Sequence, residues 1–232
     1  MRYDADHKQA SRRRIVRTAG ERFRRDGFAS SGVAALMADA GLTNGAFYAH
    51  FSSKDELVAT VVADSLREQS RLFEDPAGAP LPVAVVIDLY LSEEHRDDPA
   101  HGCPSAAFID EVARASTRVQ AAYADGLDGV LGVLARSIRA TSSHLDADDA
   151  VALAQDLLAY MLGALQLARA VADEERSGRI LQQSRLRAMD IAASALPGTD
   201  SPHPSRGQRA ATTLGGEDLR SELRSGVRED ER

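Results

Sequence analysis

Along most of the chain the apolar positions recur at the three- and four-residue steps of a helix rather than at the alternating step of a strand. Ile15, Val16, Ala19 and Phe23 share one face behind Ser11, which can cap a helix there, and Asp26-Gly27 stops it. Shorter segments run from Ser31 to Ala40 and from Thr43 to Phe51, parted by Gly41. Ser53 and Glu56 stand at capping-box spacing before Leu57, Val58, Val61, Val62 and Leu66, which predicts a long helix to about Phe73. A turn-rich connector follows, with Pro76, Gly78, Pro80 and Pro82. The run 83–91 has the Val and Ile content of a strand. No partner strand is evident in the pattern, and Pro82 suits a helix start, so a helix is expected. Further helices are expected over 104–115, 116–141, 146–173 and 176–196. From 197 to 232 the chain is Pro, Gly, Ser, Thr and charge with few bulky apolar residues. Such a segment cannot bury enough surface to offset its ordering entropy, and a disordered tail is expected.

The pattern is all-α, and composition narrows its setting. A chain of 232 residues suits one moderate domain or two small ones. No apolar run reaches the length of a membrane span, and the first ten residues are too polar for a secretory signal. Cys103 is the single cysteine, so no intrachain disulfide can form. A soluble cytoplasmic protein with no membrane partner is the expectation. The net charge of −7 hides an asymmetry. Residues 1–57 carry ten Lys or Arg against seven Asp or Glu, whereas the remainder carries 18 against 28. A basic end on an acidic body suits a protein that presents that end to a polyanion.

The segment 31–51 holds the candidate chemistry. Two short helices joined through Ala40-Gly41-Leu42 form a helix-turn-helix, with Gly41 making the sharp turn and Leu42 filling the angle. Ala34, Ala35, Ala38 and Ala46 permit a close crossing, while Val33, Leu36, Phe47 and Phe51 supply the apolar pegs. Such a motif puts the N-terminal residues of its second helix into the major groove. Here those are Thr43, Asn44 and Gly45. Thr43 can cap the helix or approach a phosphate, Asn44 can pair bidentately with adenine, and Gly45 lets the backbone come close. Tyr48 and His50 lie off the Phe47/Phe51 face within reach of phosphate, and Lys54 stands at the start of the next helix. The bland alternative for all of them is a solvated helical face. Arg12, Arg13 and Arg14, on the adjoining helix, can add phosphate contacts.

The stretch Gly27-Phe28, Ser31-Gly32-Val33, Ala40 through Phe51 and Lys54-Asp55-Glu56-Leu57 closely resembles the DNA-binding domain of TetR/AcrR-type repressors. That resemblance implies a flexible arm at 1–10, a three-helix DNA-binding domain at 11–57 and a helical ligand-binding and dimerisation domain at 58–196. It also implies a homodimer on a palindromic operator in double-stranded DNA, released by a small-molecule inducer, with no cofactor and no enzymatic activity. The DNA-binding residues it marks are Ser31, Thr43, Asn44, Gly45, Tyr48, His50 and Lys54. Two positions depart from the pattern. Asn44 stands where many relatives carry a basic residue, and Gly32 where they have Ser or Thr.

In the second domain, Leu153, Leu157, Leu158, Met161, Leu162 and Leu165 form a stripe too broad for one buried face, which points to a second subunit. Gly163 within it suggests a close approach to the last helix at Ala188, Ala192 and Ala195. Tyr90, Cys103, Phe108, Tyr123, Tyr160 and Met161 are candidate walls of a ligand cavity. Cys103 before Pro104 stands at a helix start, where the dipole and a nearby protonated His101 would favour the thiolate and make a thiol-reactive inducer conceivable. The inert reading is a small buried residue. His95, His101 and Cys103 fit no common metal spacing. A thiol- or His-dependent enzyme and a helical interaction module without DNA affinity are the rival readings.

Overall fold

The computed structural model describes residues 2–142 and 144–194; among them are ten helices and no β-strand. In chain order these are α1 (Arg2–Asp26), α2 (Val33–Asp39), α3 (Asn44–Phe47), α4 (Lys54–Leu72), α5 (Val83–Tyr90), α6 (Glu93–Asp97), α7 (Pro104–Val112), α8 (Thr117–Thr141), α9 (Ala147–Ala170) and α10 (Glu174–Ala193). The fold class is all-α. The tail expected at 197–232 lies outside the described residues.

Helix starts follow from the caps. Ser53, Ser92, Ser116, Asp146 and Asp173 each accept a hydrogen bond from the backbone N–H three residues on, satisfying one of the orphan donors of the first turn. The run 83–91 is helical as α5, and α6 is separate from it because Ser92 caps a new start. In α1 the buried face is Ile15, Val16, Ala19 and Phe23. Its start differs from expectation: α1 begins at Arg2, and Ser11 is buried within it rather than capping it. Residues 2–10 contain neither Gly nor Pro, so a helix already stabilised by packing at Ile15 propagates back through the stretch expected as a flexible arm.

The body is a layered bundle. α4 packs along α8, and α9 lies against both α8 and α10. α4 crosses residue 57, where the resemblance puts a domain boundary, without interruption. Small residues set the close approaches. A Cβ placed on Gly126 of α8 would lie 2.7 Å from Leu66 Cδ1 and 2.8 Å from Leu66 Cβ. Ala188 and Ala192 of α10 are buried as read from sequence, whereas Ala195 is outside the described residues. Gly163 is not their partner: it is exposed, and a Cβ there would meet nothing within 4 Å. The stripe on α9 is only partly used within the chain. By length and composition α9 is apolar enough to cross a membrane, although its apolar run is interrupted by charged residues, and 39% of its most apolar stretch is buried. Its packing on α8 and α10 is that of a core helix.

Alanine is the better helix former by about 1 kcal/mol, so helix propensity alone makes Gly126→Ala stabilising. The Leu66 contact reverses that sign, and a net loss of about 1–3 kcal/mol is expected by urea unfolding. A stability equal to or above the parent's would show that α4 and α8 do not approach so closely.

Candidate functional site

The turn between α2 and α3 is built as the motif requires. Gly41 has φ 63°, and the N–H of Leu42 donates to Met37 O at 2.9 Å, the six-to-one bond of a Schellman ending. Leu36, Met37, Phe47 and Phe51 are buried beneath it. α3 is shorter than the periodicity predicts. Beyond Phe47 the chain continues in i+3 bonds such as Ala49 N–H to Ala46 O, the tightening common at a helix end.

Thr43, Asn44 and Gly45 stand together at the exposed N-terminal end of α3. Thr43 takes the N-cap position with φ −75° and ψ 152°, but its hydroxyl makes no capping bond and stays available. A Cβ on Gly45 would meet nothing within 4 Å, so the backbone there is open to a close partner. Tyr48 is 70% exposed, its ring edge resting on Phe47 at 5.3 Å. These four form one open surface.

Three other candidates do not join it as free groups. Ser31 is fully buried, and its hydroxyl donates to Gly27 O at 2.9 Å; it closes the end of α1 and cannot face a phosphate. Lys54 is half-buried, and its ammonium donates to Phe28 O at 2.5 Å. His50 is half-buried with Nδ1 unpartnered, and burial pushes its pKa down, helped by Lys8 and Arg12. It is therefore a neutral imidazole near pH 7. Sequence reasoning did not foresee the cluster behind it, in which the Arg12 guanidinium lies 4.7 Å from the Phe51 ring centre.

The backbone of Phe28 joins this module to the body. Its N–H donates to the Glu111 carboxylate of α7 at 2.7 Å, Ala29 N–H donates to the same oxygen at 3.3 Å, and its carbonyl accepts from Lys54. The Phe28 ring packs between Phe23 of α1 and Phe108 of α7, at 5.3 and 5.1 Å. Gly27 has φ 81°, and a Cβ there would lie 2.8 Å from a Glu111 carboxylate oxygen. Nearby, Arg24 donates to Ser65 of α4 at 3.0 Å.

A mainly apolar cavity of about 260 Å³ lies where α1, α4, α5 and the start of α7 meet. Tyr90 and Cys103 line it, with Arg24, Gln69, Leu72 and Leu89. The other ligand candidates lie elsewhere. Phe108 is fully buried beside Phe28, Tyr123 donates its hydroxyl to Ser105 at 2.9 Å, and Met161 is fully buried core on α9. Tyr160 is half-buried on α9, away from the cavity wall. His95, not His101, is the histidine joined to Cys103: its Nε2 accepts from Cys103 N–H at 2.9 Å. The exposed His101 ring pairs with Asp98. The Cys103 thiol is buried and accepts from Gln69 Nε2 at 3.3 Å, which makes it a wall atom rather than an exposed nucleophile. A larger groove of about 700 Å³ between α1 and α4 is more polar and is rimmed by Arg13, Arg14, Arg17 and Arg71.

Residues 15–61 match the family described as bacterial regulatory proteins, tetR family. Residues 15–61 thus carry the DNA-binding domain of the TetR family. The uncharacterized HTH-type transcriptional regulator YerO of Bacillus subtilis is 32% identical over 71 residues, a match that spans 29% of this chain and only 25% of that relative. Two solved structures share the fold over nearly their whole length. Reduced Escherichia coli NemR superposes with a TM-score of 0.63 at 20% identity, covering 78% of this chain and 96% of its own. FadR of Bacillus subtilis in complex with stearoyl-CoA gives 0.57 at 14% identity, covering 79% and 98%. These residues thus form a helix-turn-helix module of the TetR type.

If Asn44 reads an adenine edge, Asn44→Ala costs about 1–3 kcal/mol and relaxes the preference at one base pair of each half-site. Binding to a panel of single-base operator variants checks this, and an unchanged preference removes Asn44 from base readout. Glu111→Ala is expected to cost about 1.5–3 kcal/mol, because a carboxylate accepting two backbone N–H groups is lost. Hydrogen exchange at the Phe28 amide should then speed up by more than tenfold; an unchanged rate would show that Glu111 does not hold that peptide.

Proposed function

We propose that this regulator is a cytoplasmic homodimeric repressor that binds a palindromic operator and is released by a small-molecule inducer. The observation that carries the DNA half of this reading is the shared exposure of Thr43, Asn44, Gly45 and Tyr48 at the N-terminal end of α3. In a dimer, each subunit lays that end into a major groove, and the two grooves face the protein about 34–36 Å apart. Support for a second copy comes from α9 and α10, where Leu167 and Leu186 are 63% and 66% exposed and Gly163 leaves room for a close helix. Exposed leucines on adjacent helices suit a self-complementary interface.

The inducer enters the cavity at Cys103 and Tyr90. FadR, a structural relative in complex with stearoyl-CoA, supports a ligand role for this fold. Two routes lead from the cavity to the DNA-binding module. Gln69 and Leu72 belong to α4, whose other end carries Lys54; Cys103 and Pro104 start α7, whose far turn carries Glu111. A ligand that binds one arrangement of α4 and α7 better than the other changes the separation of the two α3 helices, and only such differential affinity can do so.

The test is selection of duplex fragments from a random pool by the purified protein, with affinities then measured at rising salt. Expected are palindromic sequences, two subunits per duplex, and an affinity that falls steeply and linearly on a log–log plot. Recovery of no preferred sequence, or binding by a single subunit, would overturn the proposal.

A further inference from the structure

The cavity wall holds polar groups that the fold leaves unsatisfied. Tyr90 is 3% exposed, and its hydroxyl has the Cys103 thiol beside it but no partner at hydrogen-bond geometry; Gln69 is 4% exposed, and its Oε1 has none although its Nε2 donates to Cys103 Sγ. A buried polar atom without a partner costs about 1–3 kcal/mol, so two in one wall mark places where something else completes the bonding. Around them the wall is apolar, and Leu72 and Leu89, 66% and 56% exposed, edge the mouth. The charged groups at the edge offset one another. Arg24 is tied to Ser65 and lies 5.9 Å from the Phe108 ring centre, with Glu68 close enough to act on its charge. Its Nε also lacks a partner and offers a further donor.

We infer that the cavity takes an uncharged, compact molecule, a single ring or its equivalent, whose one hydroxyl both donates to Gln69 Oε1 and accepts from Tyr90. This rests on the reading of the cavity as the inducer site and adds the ligand's chemical class. Size sets the first limit. A dry cavity of about 150 Å³ holds benzene, and drug-sized ligands use roughly 300–1,000 Å³, so the space of about 260 Å³ behind the mouth seats one substituted ring. Hydrogen bonding sets the second. A pure hydrocarbon fills the space but leaves both oxygens unmatched. A carboxylate satisfies the donors Tyr90 and Arg24 Nε, yet it has no hydrogen for Gln69 Oε1 and adds a charge beside Glu68. A hydroxyl meets the acceptor and the donor at once.

Three probes differing in one substituent test this on the full-length protein: toluene, 4-methylphenol and 4-methylbenzoate, with affinity read by calorimetry. The expected result is 4-methylphenol binding at least about tenfold tighter than either of the others, because a site with buried polar groups rejects ligands that leave them unpaired. Tyr90→Phe, which keeps the ring, and Gln69→Leu should each bring 4-methylphenol within about threefold of toluene while toluene binds as before. Equal binding of toluene and 4-methylphenol, tighter binding of 4-methylbenzoate, no binding of any probe, or discrimination that survives both substitutions would overturn the inference. Operator affinity, measured with and without each probe, separates this from the inducer reading. Tight 4-methylphenol binding that leaves operator affinity unchanged overturns the inducer role and leaves the ligand class standing. Release of DNA by toluene as readily as by 4-methylphenol overturns the ligand class and leaves the inducer role.

Discussion

Between α1 and α2 the chain passes through one residue, Phe28, whose backbone is held from opposite sides. α7 takes its N–H through Glu111, α4 takes its carbonyl through Lys54, and its ring sits between Phe23 and Phe108. Charge-assisted bonds to the N–H and the carbonyl of one residue, with the Phe28–Ala29 amide itself shared between Glu111 and Lys54, leave this turn little room to follow α7 without α4, or the reverse. α2 begins only a few residues later, and α3 follows it across the Gly41 turn. A change in the angle between α4 and α7 therefore has to be accommodated at the helix-turn-helix. The left-handed Gly27 before it has no space for a side chain beside Glu111, so the loop is as closely fitted as the bonds that hold it.

The same contacts explain why some of the site was legible in the sequence and some was not. Local chemistry read well. The face Ile15/Val16/Ala19/Phe23, the Ser53 cap, the Gly41 turn and the exposed ends of Thr43 and Asn44 depend on neighbours within one or two turns. Lys54 was not legible because its partner is set elsewhere: it reaches back to Phe28 across the whole motif, while Ser31 turns inward to Gly27 O. Of the capping box, Ser53 accepts from Glu56 N–H as its spacing predicts, and only the return bond differs. Glu56 accepts from Ser52, through both its N–H and its hydroxyl, and not from Ser53. No periodicity encodes such a choice.

The cavity was harder still, since its wall is assembled from α1, α4, α5 and the turn before α7. Of the aromatic candidates Tyr90 alone lines it; Phe108 is core, and Tyr123 and Tyr160 are half-buried away from it. Gln69 carried the better signal. It sits on the same face of α4 as Val62, Ser65 and Leu66, where an apolar side chain would be the ordinary choice, and a polar residue at such a position asks for a partner. Arg24 was an equally visible exception at the edge of the buried face of α1. Oddly placed polar residues located the hollow better than apolar ones did.

One consequence of the wall concerns its tautomers. His95 accepts from Cys103 N–H at Nε2, so the hydrogen of the neutral ring belongs on Nδ1, where Tyr90 O lies 2.7 Å away. Both edges of the imidazole are committed, and a second proton has nowhere to go except Nε2, facing another N–H. Burial lowers the pKa of His95 below its ordinary 6.5, and Arg169 lowers it further, while the Tyr90 carbonyl and Asp98 act the other way. A folded-state pKa below the unfolded value means that the unfolded chain binds the proton first. The native contribution of this ring is intact above pH 6.5 and drains away as the pH falls from there through the lowered value. Acidification therefore loosens the junction of α6 and α7 at the back of the cavity, whether or not anything is bound inside it.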